Sequence, residues 1–176
     1  MGHMIVANLV RECTPMQEVW FVVSPHNPHK KKSNLLHEQD RYDMVQRAVS
    51  EDYGFRVSDI EFHLPYPSYT SVTLAHLSDQ YPQHNFSLII GEDNLVSFPK
   101  WRNHEAILTD YGLIVYPRPN APDSALRDSQ HVQMIEAPMM DISASLIRRL
   151  VREGRSVKYL VPEAVEKMIA ASGFYL

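Results

Sequence analysis

A chain of 176 residues, 44% apolar and 22% charged, has the size and make-up of one globular domain. Its 17 basic and 21 acidic side chains leave a net charge of −4, which argues against a nonspecific nucleic-acid binder, since that needs a basic field. The lone cysteine, Cys13, excludes an intrachain disulfide and a thiolate zinc cage, and no apolar run approaches the ~20 residues of a membrane span.

Residues 2–13 place Val6, Leu9, Val10 and Cys13 at helical spacing, which predicts a helix with a buried, inert thiol. Glu18 to Val23 is a β-branched and aromatic run ended by Ser24-Pro25, and reads as a buried strand. A polar loop to about Asn34 leads into a helix over His37–Ser50. Phe55–Leu64 is strand-like, interrupted at Ser58-Asp59. Thr70–Tyr81 is helical, with Thr70 or Ser71 as its cap. Phe86–Ile90 is the cleanest strand, closed by Gly91. Helical patterns follow over Glu92–Phe98 and His104–Thr109. Gly112–Tyr116 and, more weakly, Val132–Ile135 are strands; Ser143–Arg152 and Pro162–Ala171 are helices.

Strands alternating with helices predict an α/β fold, a parallel sheet covered on both faces. Ligands of such folds bind beyond the carboxyl ends of the strands. The polar segments at 24–34, 91–94, 117–120 and 141–148 all follow strands and are where chemistry is expected.

Ile142-Ser143-Ala144-Ser145-Leu146-Ile147-Arg148 sets two hydroxyls at a helix start and a guanidinium one turn on. Free amides, the helix dipole and an arginine fork suit phosphate oxygens, although a serine-capped surface helix fits the spacing equally. At the other end, His3 follows Gly2 at a helix start, where it could face a phosphate; a Gly-His-Met expression remnant is the alternative, although Ile5-Val6-Ala7-Asn8 continues the helix without a break. The loop Pro25-His26-Asn27-Pro28-His29-Lys30, followed by Lys31 and Lys32, is either a phosphate-holding cation cluster or a solvated basic loop. Its histidines have no acidic or sulfur partner spaced to complete a metal set. Ser68-Tyr69-Thr70 and Gly91-Glu92-Asp93 sit at loop-to-helix junctions, where they could bond a ligand or cap a helix. Trp101 could stack on a ring or pack half-buried, and Arg118, between prolines, is a rigidly placed cation.

The order of these pieces resembles the nicotinate-nucleotide adenylyltransferases. That family carries G-H-x-x-x-A-N, here Gly2, His3, Ala7 and Asn8, and a proline-rich P-H-K, here Pro28, His29 and Lys30. Its S-Y-T with T-L beyond is Ser68, Tyr69, Thr70, Thr73 and Leu74. Its G-x-D-x-L followed by a tryptophan is Gly91, Asp93, Leu95 and Trp101. R-P after a strand is Arg118 and Pro119, and I-S-x-[ST]-x-I-R is Ile142, Ser143, Ser145, Ile147 and Arg148. Asn120 stands where the family often has glycine. The family opens with a strand, a glycine-rich turn and H-x-G-H, of which Met1-Gly2-His3 matches the end. A first, central strand absent from the sequence is therefore expected, with residues 1–176 forming a single nucleotidyltransferase domain.

The resemblance implies a Rossmann-like fold and adenylyl transfer from ATP to nicotinate mononucleotide, in NAD biosynthesis. It implies His3 and Arg148 as catalytic residues. ATP would be held by Gly2, His3, Gly91, Asp93, Arg118, Ile142, Ser143, Ser145 and Arg148. Nicotinate mononucleotide would meet Lys30, Ser68, Tyr69, Thr70 and Trp101. Mg²⁺ is expected on the ATP phosphates and water, with no protein ligand set. No nucleic-acid or membrane partner is expected, and oligomers are open. The N-terminus lacks a secretory layout, which points to the cytoplasm. The alternatives are a non-catalytic nucleotide-binding remnant and a related nucleotidyltransferase with another acceptor.

Overall fold

The computed structural model describes residues 1–25, 35–139 and 142–176. Helix α1 (Gly2–Cys13) buries Ala7 and Val10. Strand β1 (Val19–Val22) runs parallel to β2 (Phe55–Ser58), and α2 (Glu38–Val49) makes the crossover. Strands β3 (Leu88–Gly91), β4 (Leu113–Tyr116) and β5 (Val132–Met134) form a second parallel sheet in that order. Every residue of β4 is buried, as its unbroken apolar run requires at the centre of a sheet. Helices α3 (Thr70–Gln80), α4 (His104–Ala106), α5 (Ala144–Arg152) and α6 (Glu163–Ser172) complete the chain.

The pairing is parallel, as expected, but falls in two sheets. Among the described residues no strand joins β1 to β3. One core nevertheless spans both: Ala7 and Val10 of α1, Val19 of β1, Phe55 of β2, and Ile114 and Tyr116 of β4 pack together. A second cluster lies around Leu74, Leu95, Phe98 and Val115. A third joins α5 and α6 through Val151, Val165 and Ile169, with Met44 of α2 against it.

Several expectations need correcting. Cys13 is exposed. It is the last residue of α1, whose buried face ends at Val10. The strand expected over Phe55–Leu64 stops at Ser58, because the Ser58 hydroxyl accepts the Ile60 N–H (3.3 Å) and turns the chain into a 3₁₀ segment, Ile60–His63. That turn sends Glu61 into the interior, where it accepts the Thr73 hydroxyl of α3 at 2.8 Å. Neither Thr70 nor Ser71 caps α3. Tyr69 is the cap residue, its carbonyl taking the N–H groups of Val72 (2.9 Å) and Thr73 (3.1 Å).

The strand expected at Phe86–Ile90 is displaced to Leu88–Gly91, where Gly91 pairs with Tyr116. Glu92–Phe98 is not one helix. Two 3₁₀ turns, Glu92–Asn94 and Phe98–Lys100, flank the buried Leu95. Three residues per turn stack Leu95 and Phe98 on one side, and these are 1% and 0% exposed. The helix expected over His104–Thr109 is the short α4 running into a π turn, Ile107–Tyr111, ended by Gly112 at φ 67°.

Candidate active site

Parallel pairing brings the carboxyl ends of the strands to common edges. The register of β3 against β4 pairs Gly91 with Tyr116, so the segments that follow leave side by side. Asp93 and Arg118 therefore meet: Arg118 Nε lies 3.7 Å from Asp93 Oδ1, and its guanidinium sits over the Tyr116 ring at 5.4 Å from the centroid. That Nε is buried yet makes no hydrogen bond among the described residues. Gly91 forms the floor. A β-carbon there would lie 2.4 Å from Asp93 Oδ1 and 3.3 Å from Arg118 Nε. A buried, unsatisfied donor beside a carboxylate and bare backbone suits a ligand with both hydroxyl and acceptor groups.

The start of α5 is a second group. Ser143 caps the helix, its hydroxyl accepting the Leu146 N–H at 3.2 Å. Ile142 precedes it, half-buried, while Ser143 and Ser145 are exposed. Ser145, Arg148 and Arg152, at i, i+3 and i+7, open onto a cavity of ≈ 370 Å³ walled by Leu35, Leu36 and Tyr175. The guanidinium of Arg148 faces the Tyr175 ring at 6.0 Å. Burial pushes the Tyr175 phenol above its ordinary value; Arg148 and Arg41 oppose this and Asp40 adds to it. Arg148 lies mid-helix and Arg152 is the last residue of α5, so the cavity lining carries two cations.

Ser68, Tyr69 and Thr70, half-buried, open α3. The Tyr69 ring carries the guanidinium of Arg102 at 4.7 Å, which ties this junction to the segment holding Trp101. Trp101 itself is half-buried and packs on Phe98 at 5.5 Å. His3 is exposed in the first turn of α1, and the space beside Gly2 is open. Lys30 lies outside the described residues. Among the described residues no cluster of three or more His, Cys, Asp or Glu could hold a metal ion, and no helix is long and apolar enough to cross a membrane.

Residues 1–150 match the model of the cytidylyltransferase-like family. A protein of Cytophaga hutchinsonii named "Probable nicotinate-nucleotide adenylyltransferase" is 53% identical over 174 residues, covering 99% of this chain and 91% of that relative. The chain belongs to the nicotinate-nucleotide adenylyltransferase family. A relative of the same name from Flavobacterium johnsoniae is 45% identical, with 99% of this chain and 91% of its own length covered. The fold matches that of Plasmodium falciparum nicotinic acid mononucleotide adenylyltransferase, solved with NaAD, at a TM-score of 0.79 and 16% identity, over 98% of this chain and 89% of that one.

Within this family fold, some residues around the site escape sequence reasoning. Glu92, 7% exposed, accepts the backbone N–H of Arg118 at 3.2 Å and pairs with Arg127. Arg152 and Tyr175 line the cavity beside α5, and Arg102 stacks on Tyr69. Arg41 donates to the carbonyls of Ser24 (2.7 Å), Pro25 (2.9 Å) and Leu36 (3.2 Å), linking the ends of the segment after β1. The sequence marks Glu92 only as part of the Gly91-Glu92-Asp93 junction, and its burial has no local signal. Arg127 and Tyr175 offer none, since they reach the site only through tertiary folding.

Proposed function

We propose that this chain transfers the adenylyl group of ATP to nicotinate mononucleotide, giving nicotinate adenine dinucleotide and pyrophosphate. The observation that carries this reading is the α5 opening, where Ser145 and Arg148 of the family motif line a cavity together with a second cation, Arg152. The whole-length likeness to relatives named for this activity supports it.

A 5′-phosphate oxygen of nicotinate mononucleotide attacks the α-phosphorus of ATP in line. The new P–O bond forms as the bond to the β-phosphate oxygen breaks, and pyrophosphate leaves with that electron pair. No covalent enzyme intermediate is required, so the protein positions two anions and stabilises charge. Ser143, Ser145 and Arg148 hold the triphosphate, with Ile142 leading into the cap. His3 donates to charge developing on the phosphates, and Gly2 leaves room for them. Asp93 accepts from the ribose hydroxyls of ATP, Gly91 lets the nucleotide approach the backbone, and Arg118 lies at the adenosine end. Ser68, Tyr69, Thr70 and Trp101 receive the nicotinate nucleotide, with Lys30 assisting at its phosphate. The donor set favours magnesium entering as part of the ATP substrate, held by phosphate and water. Both substrates are soluble nucleotides, so the cytoplasm is the proposed compartment.

The test is pyrophosphate release from magnesium-ATP and nicotinate mononucleotide, with His3→Ala and Arg148→Ala beside the parent. Each variant is expected to lose about 10²-fold or more in kcat/KM, the scale of removing one transition-state donor. Binding of ATP without any pyrophosphate release by the parent chain would sink the catalytic reading.

A further inference from the structure

We infer that Glu92 is a positioning residue for adenylyl transfer, setting Arg118 and the Gly91–Asp93 turn in the geometry that receives the adenosine end of ATP. This rests on the function proposed above.

Glu92 is a carboxylate in a nearly closed environment, 7% exposed, and is the buried residue of its 3₁₀ turn. Burying a charge costs stability unless it is paired, and both of its oxygens are engaged. Oε2 accepts the backbone N–H of Arg118 at 3.2 Å, and Oε1 takes the guanidinium of Arg127. The bond to Arg118 is across chain, from the residue after β3 to the second residue after β4. It holds the two strand ends at a fixed separation beyond their last ladder pair, Gly91 and Tyr116.

What hangs on that bond is the site. Arg118 carries the buried Nε that has no hydrogen-bond partner among the described residues, 3.7 Å from Asp93. Its guanidinium is steered by the Tyr116 face on one side, but its backbone is tethered to Glu92. Glu92 thus holds Arg118 by the main chain while Asp93, the next residue, faces it with a side chain. One short turn sets both members of the pair. Arg127, from the 3₁₀ segment Ala125–Asp128, engages the other carboxylate oxygen of Glu92, so that the side chain is held from both sides and its second oxygen stays on the Arg118 N–H.

The experiment compares Glu92→Ala, Glu92→Gln and Arg127→Gln, each as the full chain with its melting temperature recorded. ATP and nicotinate mononucleotide are varied separately in the pyrophosphate-release assay. Affinity for the non-reacting analogue α,β-methylene-ATP is measured in parallel. Glu92→Ala is expected to raise the KM for ATP and the analogue Kd about tenfold, leaving the KM for nicotinate mononucleotide within about twofold. Glu92→Gln keeps an acceptor for the Arg118 N–H and is expected to recover most of that loss. If Glu92→Ala does not fold, Arg127→Gln carries the test, with an expected ATP-selective loss of the same sign. Equal weakening of both substrates, or a lower melting temperature with unchanged ATP KM and analogue Kd, would overturn the role and leave Glu92 a packing carboxylate. A parent chain that binds the analogue but releases no pyrophosphate would refute the function while the analogue Kd still judges Glu92.

Discussion

Gly91 shows why a residue's type must be read with its surroundings. Its backbone lies at φ −75° and ψ 148°, open to any amino acid, so conformational freedom is not what the position needs. Space is. A methyl group there would meet Asp93 Oδ1 at 2.4 Å, and something must shift. Gly91→Ala is expected to fold with a stability within about 1 kcal/mol of the parent, because the backbone accepts alanine and the atoms in its way are side-chain ends that can move. It should also weaken ATP-analogue binding at least about tenfold by displacing Asp93 and Arg118 from the ligand. Calorimetric titration beside thermal denaturation separates the two effects; full-strength binding would mean that the nucleotide does not approach this floor. Arg118 and Asp93 were legible as motif residues. Their meeting at 3.7 Å was not, since it depends on the register of two strands over 20 residues apart. Cys13 fails in the opposite way: helical spacing assigned it to the buried face, but spacing does not say where the core ends.

At the scale of elements, the β1–β2 pair carries a charge device on its partly exposed side. Glu18, just before β1, pairs with Arg56 of β2 at 2.9 Å and accepts the Trp20 indole N–H at 2.9 Å. The Arg56 guanidinium also covers the Trp20 ring at 5.2 Å. Burial pushes the Glu18 carboxyl up, but the Trp20 bond and the Arg56 charge, with a smaller pull from His84, hold it net below the usual carboxylate range. A carboxyl lowered in the folded state stabilises the fold at pH above its unfolded value, and that contribution is lost as pH falls through the folded value. Glu18→Gln is therefore expected to be less stable than the parent at neutral pH, by no more than about 1 kcal/mol because the pair is partly solvated. The difference should close on acidification below about pH 4.3, the ordinary range for glutamate. Urea melts of both proteins between neutral and acidic pH check this; a gap that persists in acid would remove Glu18 as its source. Strands and long helices announced themselves through their periods. The 3₁₀ and π turns between β3 and β4 did not, because a spacing of three, as at Leu95 and Phe98, is shared by short α-helical stretches.

At the scale of the molecule, the two sheets are tied by shared burial. Ile114 of β4, 3% exposed, packs in the cluster that holds Val10 of α1 and Phe55 of β2. Ile114→Ala is expected to cost about 2–5 kcal/mol, the range for deleting a buried isoleucine side chain. We propose that residues 1–176 unfold as one unit, so calorimetry of this variant should show one transition moved to lower temperature. Two separable transitions, only one shifted, would mean that the sheets are independent bodies.

Read alone, the sequence determined the alternation of strands and helices, the parallel pairing, the boundaries of α1, and the motifs that identify the family. Each of these is written locally, in apolar period or residue order. Tertiary structure alone decided that Arg118 meets Asp93, that Glu92 is buried between two arginines, and that Arg152 and Tyr175 wall the cavity of α5. Those contacts join residues far apart in the chain. They are set by strand register and by which face of a helix meets its neighbour, and neither leaves a pattern within a short window of sequence.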